Sequence, residues 1–229
     1  GHTWVGYDME NCWTQDLSLG VSDKIIGHAQ DPIDVVVHFA AIPRVAFSVE
    51  EPVLVMKNNI LSTTRVLDWA RRANIPVIYS SSSSVVGNGD GPASPYALSK
   101  YVGELESILY NQLYGLKTVA LRYFNVYSYD QVADIVSANI FCAENIDKED
   151  LWGHWYDVGS GENISLNEMK EIVLQYFPEQ KFDYIEPRVG DVMLTKADLS
   201  KFKSHGWDSK IPLKEGLNSI FKTLKEEMS

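Results

Sequence analysis

Short strand-like runs and long helix-like stretches alternate along this chain, and that alternation restricts the folds open to it. Val35 to Phe39 is a β-branched apolar run, and it is followed by a helical stretch from Pro52 to Ala73. Val77 to Ser80 repeats the strand pattern ahead of a second helical stretch from Pro95 to about Tyr114, and Thr118 to Arg122 is strand-like again. Runs of this length, buried on both faces and joined by helices, predict a parallel sheet with crossover connections. From about Asp150 the pattern changes. A short strand is expected at Tyr156 to Val158, a helix from Leu166 to Tyr176 capped by Ser165, an extended stretch from Lys181 to Tyr184, a helical segment beginning at Asp198, and a last helix from Leu213 to Glu227. The fold class expected is α/β, a doubly wound parallel sheet with a smaller α/β unit packed over its carboxyl edge. The units are read as residues 1–128, a return to the first unit over 129–149, and the smaller unit over 150–229.

The chemistry concentrates between Ile78 and Lys100. A buried strand there empties into the serine run Ser80 to Ser84, and in parallel sheets ligands sit beyond the carboxyl ends of the strands. Tyr96 and Lys100 follow, four residues apart and so on one face of any helix that contains them. Ser94 suits the N-cap of that helix and Pro95 its first position. A phenol with an ordinary pKa near ~10 is no base at neutral pH, whereas a phenol beside an ammonium is moved toward one. The spacing therefore assigns Tyr96 as a general base and Lys100 as its electrostatic tuner.

Composition narrows the function classes. Hydrophobic residues make up 45% of the chain and charged residues 22%, enough apolar surface for a real core. A net charge of −11 argues against a nucleic-acid surface, and no run approaches the length of a membrane span. Two cysteines, Cys12 and Cys142, have no metal-like spacing and make no disulfide framework. These features fit a cytoplasmic enzyme without a metal site.

Ordered motifs along the chain carry a resemblance to a known family. Val36-Val37-His38-Phe39-Ala40-Ala41, Lys57-Asn58-Asn59-Ile60, the serine run with Tyr96 and Lys100, Leu121-Arg122-Tyr123-Phe124-Asn125-Val126-Tyr127, and the pair Tyr156 to Gly161 and Pro187 to Asp191 follow one another along nearly the whole chain. In this the chain resembles the extended short-chain dehydrogenase/reductases, and most closely the NAD-dependent nucleotide-sugar epimerases and dehydratases of the UDP-galactose 4-epimerase type, with a Rossmann-like first domain. The resemblance implies NAD as cofactor, held by Asp8, Asp16, Leu17, Phe39, Ala40, Ala41, Asn59, Ser80, Tyr96, Lys100 and Tyr123. It implies a UDP-linked hexose as ligand, contacted by Ser82, Ser83, Asn125, Arg188 and Asp191. Asn59 also reads as a helix cap, Asn125 as a strand-end residue satisfying backbone groups, His38 as a packed strand residue, and Asp8 as a turn aspartate. Arg188 suits a diphosphate because its planar fork of donors matches paired oxygens.

By the same resemblance, Ser82 is the catalytic serine, since it lies five residues before Gly87. Tyr96 would take the proton of a sugar hydroxyl that Ser82 also holds, giving a transient keto sugar. Dehydratases of the family carry an Asp-Glu pair where this chain has Ser83 and Ser84, so epimerisation at C4 is favoured. A different sugar-nucleotide dehydratase or reductase, and a binding protein without catalysis, are the alternative readings; the trio Ser82, Tyr96 and Lys100 argues against the last. Apolar residues on more than one face of the 52–73 and 95–114 helices, together with the resemblance, imply a homodimer through them.

The family pattern is entered one βα unit late. Gly1 to Asp8 resembles the second strand, and the glycine-rich phosphate turn after strand one has no counterpart. Strand one lies in the middle of such a sheet, so these residues are expected to belong to a longer folding unit. Three further stretches are short by comparison: after Asp8, between Gly91 and Ser94, and after Tyr127.

Overall fold

A computed structural model describes residues 32–126, 129–186 and 196–228. Among the described residues four strands form one parallel sheet: β1 (Val36–His38), β2 (Val77–Ser82), β3 (Thr118–Tyr123) and β4 (His154–Val158), side by side in chain order. The helices are α1 (Val45–Glu50), α2 (Pro52–Ala73), α3 (Pro95–Tyr114), α4 (Tyr129–Glu144), α5 (Leu166–Tyr176), α6 (Ser200–Ser204) and α7 (Leu213–Glu227).

Local signals set the helix ends. Pro52 and Pro95 occupy the first turns of α2 and α3, where the missing N–H has no partner to lose. The Ser94 hydroxyl accepts the Ala97 N–H at 3.1 Å, and α3 stops at Gly115 in the left-handed conformation. α5 starts on a capping box in which Ser165 and Glu168 each accept the other's backbone N–H.

The strand expected to stop at Ser80 runs two residues further, to Ser82, paired residue by residue with β3 as far as Ser82 and Tyr123. β4 belongs to the same sheet, with Tyr156 opposite Leu121 and Val158 opposite Tyr123. The strand expected at 156–158 thus continues the sheet of the first unit, because its inward residues Tyr156 and Val158 are wholly buried in the same core as Leu121. Lys181 to Tyr184 forms no strand, and α1 has no counterpart in the sequence reading: it is six residues long and has no side-chain cap.

Alternation along the strands divides the sheet into two faces. Ile78, Val119 and Leu121 pack against Ala138 and Cys142 of α4, and this core continues through stacked Tyr156, Phe202 and Trp207 with ring centroids 4.7 and 4.8 Å apart. On the opposite face Val77 packs with Val66, Leu67 and Ala70 of α2. Tyr79 and Ser81 there meet α3. Gly103 permits that approach, since a Cβ at this position would overlap the Tyr79 phenol oxygen. No helix among the described residues is long and apolar enough to cross a membrane.

Candidate active site

The carboxyl ends of β2 and β3 and the first turn of α3 converge on Ser82 and Tyr96. β2 ends at Ser82 in extended conformation, and the chain turns at once into a short 3-10 helix, Ser83–Val85, for which Ser82 is the N-cap. Its hydroxyl accepts the Ser84 N–H at 3.3 Å and the Ser84 hydroxyl at 2.9 Å. Tyr96, which is 9% exposed, has the same Ser82 side chain beside its phenol. Burial raises the Tyr96 pKa, and the Ser82 hydroxyl is what opposes the rise.

Lys100 lies one turn further along α3, as the spacing predicts, and is almost wholly buried. Its Nζ donates to the Ser80 carbonyl at 2.7 Å, just past the last residue that β1 pairs, and sits 5.3 Å from the Tyr79 ring centroid. Burial lowers its pKa to about 8. The sequence assigns Lys100 the tuning of Tyr96. In this arrangement the hydrogen bond of the ammonium goes to a backbone carbonyl, and the group that lowers the phenol is Ser82.

The shelf beside this pair is formed by the ends of β1 and β3. Phe39 is 54% exposed, with its ring stacked on Tyr123 at 6.1 Å, and the small Ala40 and Ala41 follow it. The Tyr123 phenol accepts the Asn139 amide at 3.0 Å, and burial raises its pKa. Asn59 is 2% exposed and fully engaged within the chain. Its carbonyl accepts the Ile42 N–H at 2.8 Å, and its amide donates to the Ile42 carbonyl and the Ser99 hydroxyl. It therefore holds the loop after β1 against α2 and α3, which leaves no donor for a ligand.

Asn125 stands at the end of β3 with φ of 27°, a left-handed conformation that asparagine tolerates better than most residues. Ser83 opens the 3-10 helix and is partly exposed. Asp8, Asp16, Leu17, Arg188 and Asp191 lie outside the described residues. His38 is buried, bonded to the Thr63 hydroxyl at 3.1 Å, and kept neutral by burial, which lowers its pKa to about 3.

Beneath the site is a buried ion pair that the motifs did not reveal. Glu104, a further turn along α3 and 1% exposed, accepts Arg122 Nε and Nη2, each at 2.7 Å, and also the Ser81 hydroxyl. The Arg122 guanidinium lies 3.6 Å from the Trp155 ring centroid. Helix α3 is thereby tied to β2 and β3 one residue from Ser82. The signal for it was in the sequence as the polar series Tyr96, Lys100, Glu104, each four residues after the last.

Comparison with known proteins agrees with this geometry. A Methanocaldococcus jannaschii protein provisionally named a UDP-glucose 4-epimerase is 31% identical, with 84% of this chain and 77% of that protein covered. The structure of Thermotoga maritima UDP-glucose 4-epimerase with UDP-glucose superposes with a TM-score of 0.79 at 23% identity, over 95% of this chain and 85% of that one. The Thermus thermophilus UDP-glucose 4-epimerase in complex with NAD gives 0.72 at 25% identity, over 83% and 77%. Residues 2–162 match the model of the NAD dependent epimerase/dehydratase family, and the chain belongs to that family.

Proposed function

We propose that this protein is an NAD-dependent epimerase that inverts C4 of a UDP-linked hexose through a transient 4-keto sugar, with Tyr96 as the base. The observation that carries the reading is the gathering of Ser82, the buried Tyr96 and the buried Lys100 at the carboxyl ends of the strands. The relatives and structural neighbours named as UDP-glucose 4-epimerases support the substrate class.

The chemistry of the donors at the site fits the cofactor. The Lys100 ammonium has three N–H groups, of which one donates to Ser80, and the Tyr96 phenol lies a turn away. Phe39, Ala40 and Ala41 offer a shelf without bulky obstruction. We assign Phe39, Ala40, Ala41, Ser80, Tyr96, Lys100 and Tyr123 to it, together with Asp8, Asp16 and Leu17, and Asn59 acts by fixing the loop. When bound, NAD supplies the acceptor and then the donor of hydride at the sugar carbon.

The side chains supply the proton chemistry. Tyr96 removes the proton of the sugar O4 and later returns it, while Ser82 holds that oxygen in line with the phenol. Neither Ser83 nor Ser84 ionises, so water loss from the keto sugar lacks an acid and a base, and inversion is favoured over dehydration. Ser83, Asn125, Arg188 and Asp191 are assigned to the nucleotide sugar. Residues 129–149 are assigned to the first unit, in keeping with Ala138 and Cys142 in the core under the sheet, and the unit that meets the nucleotide sugar is assigned to 150–229 apart from β4, which joins the sheet, and Phe202 and Trp207, which pack in the same core.

A homodimer is part of the same reading. Leu98, Leu105, Leu109 and Leu113 of α3 are 43 to 62% exposed, an apolar stripe that a second copy would cover. The free Cys142 thiol suits the reducing cytoplasm, where we place the enzyme.

Replacement of Tyr96 by Phe tests the assignment. The variant should bind NAD as the parent does and fail to interconvert UDP-glucose and UDP-galactose; turnover at the parental rate would overturn the mechanism.

A further inference from the structure

Ser99, beside Lys100 on α3, is wholly buried, and its hydroxyl is shared between two helices. It donates to the Tyr96 carbonyl at 2.7 Å and accepts the Asn59 amide of α2 at 3.0 Å. A serine that bonds back to its own helix is ordinary, as at Ser62 and Ser107. At Ser99 the oxygen also receives a proton from a side chain of the neighbouring helix, and this second bond gives the residue a direction to act in.

The sense of each bond is fixed by its partners. The Ile42 N–H can only donate, so the Asn59 atom 2.8 Å from it is the carbonyl oxygen. The amide nitrogen then faces the Ile42 carbonyl at 3.2 Å and the Ser99 oxygen at 3.0 Å, which uses both of its protons. Ser99 therefore accepts from Asn59, and its single proton goes to Tyr96. The backbone of Asn59 is held as well. Its carbonyl accepts the Thr63 hydroxyl at 2.8 Å, and Thr63, its proton spent, takes the Nε2 proton of His38 at the end of β1, 3.1 Å away.

The path has the loop after β1 at one end and the first turn of α3 at the other. Ile42 directly follows Phe39, Ala40 and Ala41, and the carbonyl reached through Ser99 belongs to Tyr96 itself. Loss of the Ser99 hydroxyl would leave a buried Asn59 N–H unpaired and free the loop and the helix turn to shift against each other. A shift of about 1 Å between reacting groups costs on the order of a hundredfold in rate. We infer that Ser99 is a positioning residue, which acts through Asn59 to hold the backbone of Tyr96 in a fixed place relative to the shelf of residues 39–41. The inference rests on the reading proposed above, in which Tyr96 is the base and that shelf receives NAD.

Ser99→Ala, which removes one oxygen atom, tests it at a temperature well below the melting points of parent and variant. The Kd for NAD, measured by calorimetry, should rise roughly three- to tenfold, and kcat at saturating NAD should fall roughly tenfold with little change in KM for UDP-glucose. The double variant Asn59→Ala/Ser99→Ala should be no slower than Asn59→Ala alone, because the bond between the two residues is lost once. A parental Kd for NAD or a parental kcat in Ser99→Ala would overturn the inference, and so would losses that add in the double variant. A lower melting temperature with both values parental would make Ser99 a packing residue only. Turnover by Tyr96→Phe at the parental rate would instead defeat the epimerase mechanism, and it would leave the change in NAD affinity of Ser99→Ala to be read separately.

Discussion

Replacing Glu104 by Ala should destabilise the fold more than any change at the reacting groups. The carboxylate is 1% exposed and accepts three hydrogen bonds, two from Arg122 and one from Ser81. Truncation leaves the Arg122 guanidinium, itself 9% exposed, as a buried charge without its bidentate carboxylate, with the Trp155 face against it and Asp157 as the remaining acidic neighbour. Breaking a buried pair by removing one partner costs about 3 to 5 kcal/mol, a large part of a typical domain's stability. With an m-value of roughly 3 kcal/mol per molar in urea, the unfolding midpoint should fall by about 1 to 1.7 M at unchanged slope, read by tryptophan fluorescence. Activity should decline too, because Glu104 fixes α3 against the strand residue beside Ser82. The double variant Glu104→Leu/Arg122→Met removes both charges at similar volume and should recover most of the loss. A midpoint shift under about 0.3 M for Glu104→Ala, or a double variant as unstable as the single one, would refute the view that an uncompensated charge is what matters.

Two other changes have defined signs. Unfolded Lys100 keeps its proton up to its ordinary pKa of 10.5, and the folded residue only to about 8, so folding carries the full penalty below pH 8. Stability should therefore rise as pH climbs from about 8 to 10.5, by an amount on the order of 3 kcal/mol. Lys100→Met should be more stable than the parent at pH 7 and catalytically impaired; lower stability for it, or a flat parental curve across that window, would count against the assignment. Leu109→Glu adds a charge to the exposed α3 stripe and should yield a folded monomer in sedimentation velocity with the parent as dimer, whereas a dimeric variant would place the interface elsewhere.

What was legible in the sequence depended on whether its cause was local. Helices 52–73, 95–114, 166–176 and 213–227 could be placed to the residue because their ends carry their own chemistry: Pro52 and Pro95 in first turns, Ser94 and Ser165 as caps, a serine or proline before each apolar pattern. The Tyr96 to Lys100 spacing put both residues on one helix face for the same reason. The orientation of α3 was not legible. An amphipathic helix is read as turning its leucines inward, yet Leu105, Leu109 and Leu113 face outward and the sheet is met by Tyr96, Lys100, Gly103, Glu104 and Ser107. That choice is made by partners far along the chain, Ser80, Ser81 and Arg122, whose polar groups would be orphaned beneath a leucine face. No periodicity within 95–114 contains this information. A helix that buries its polar stripe against serines has to leave its apolar stripe for something else, and this is the strongest physical argument that α3 is not the outer surface of the working molecule.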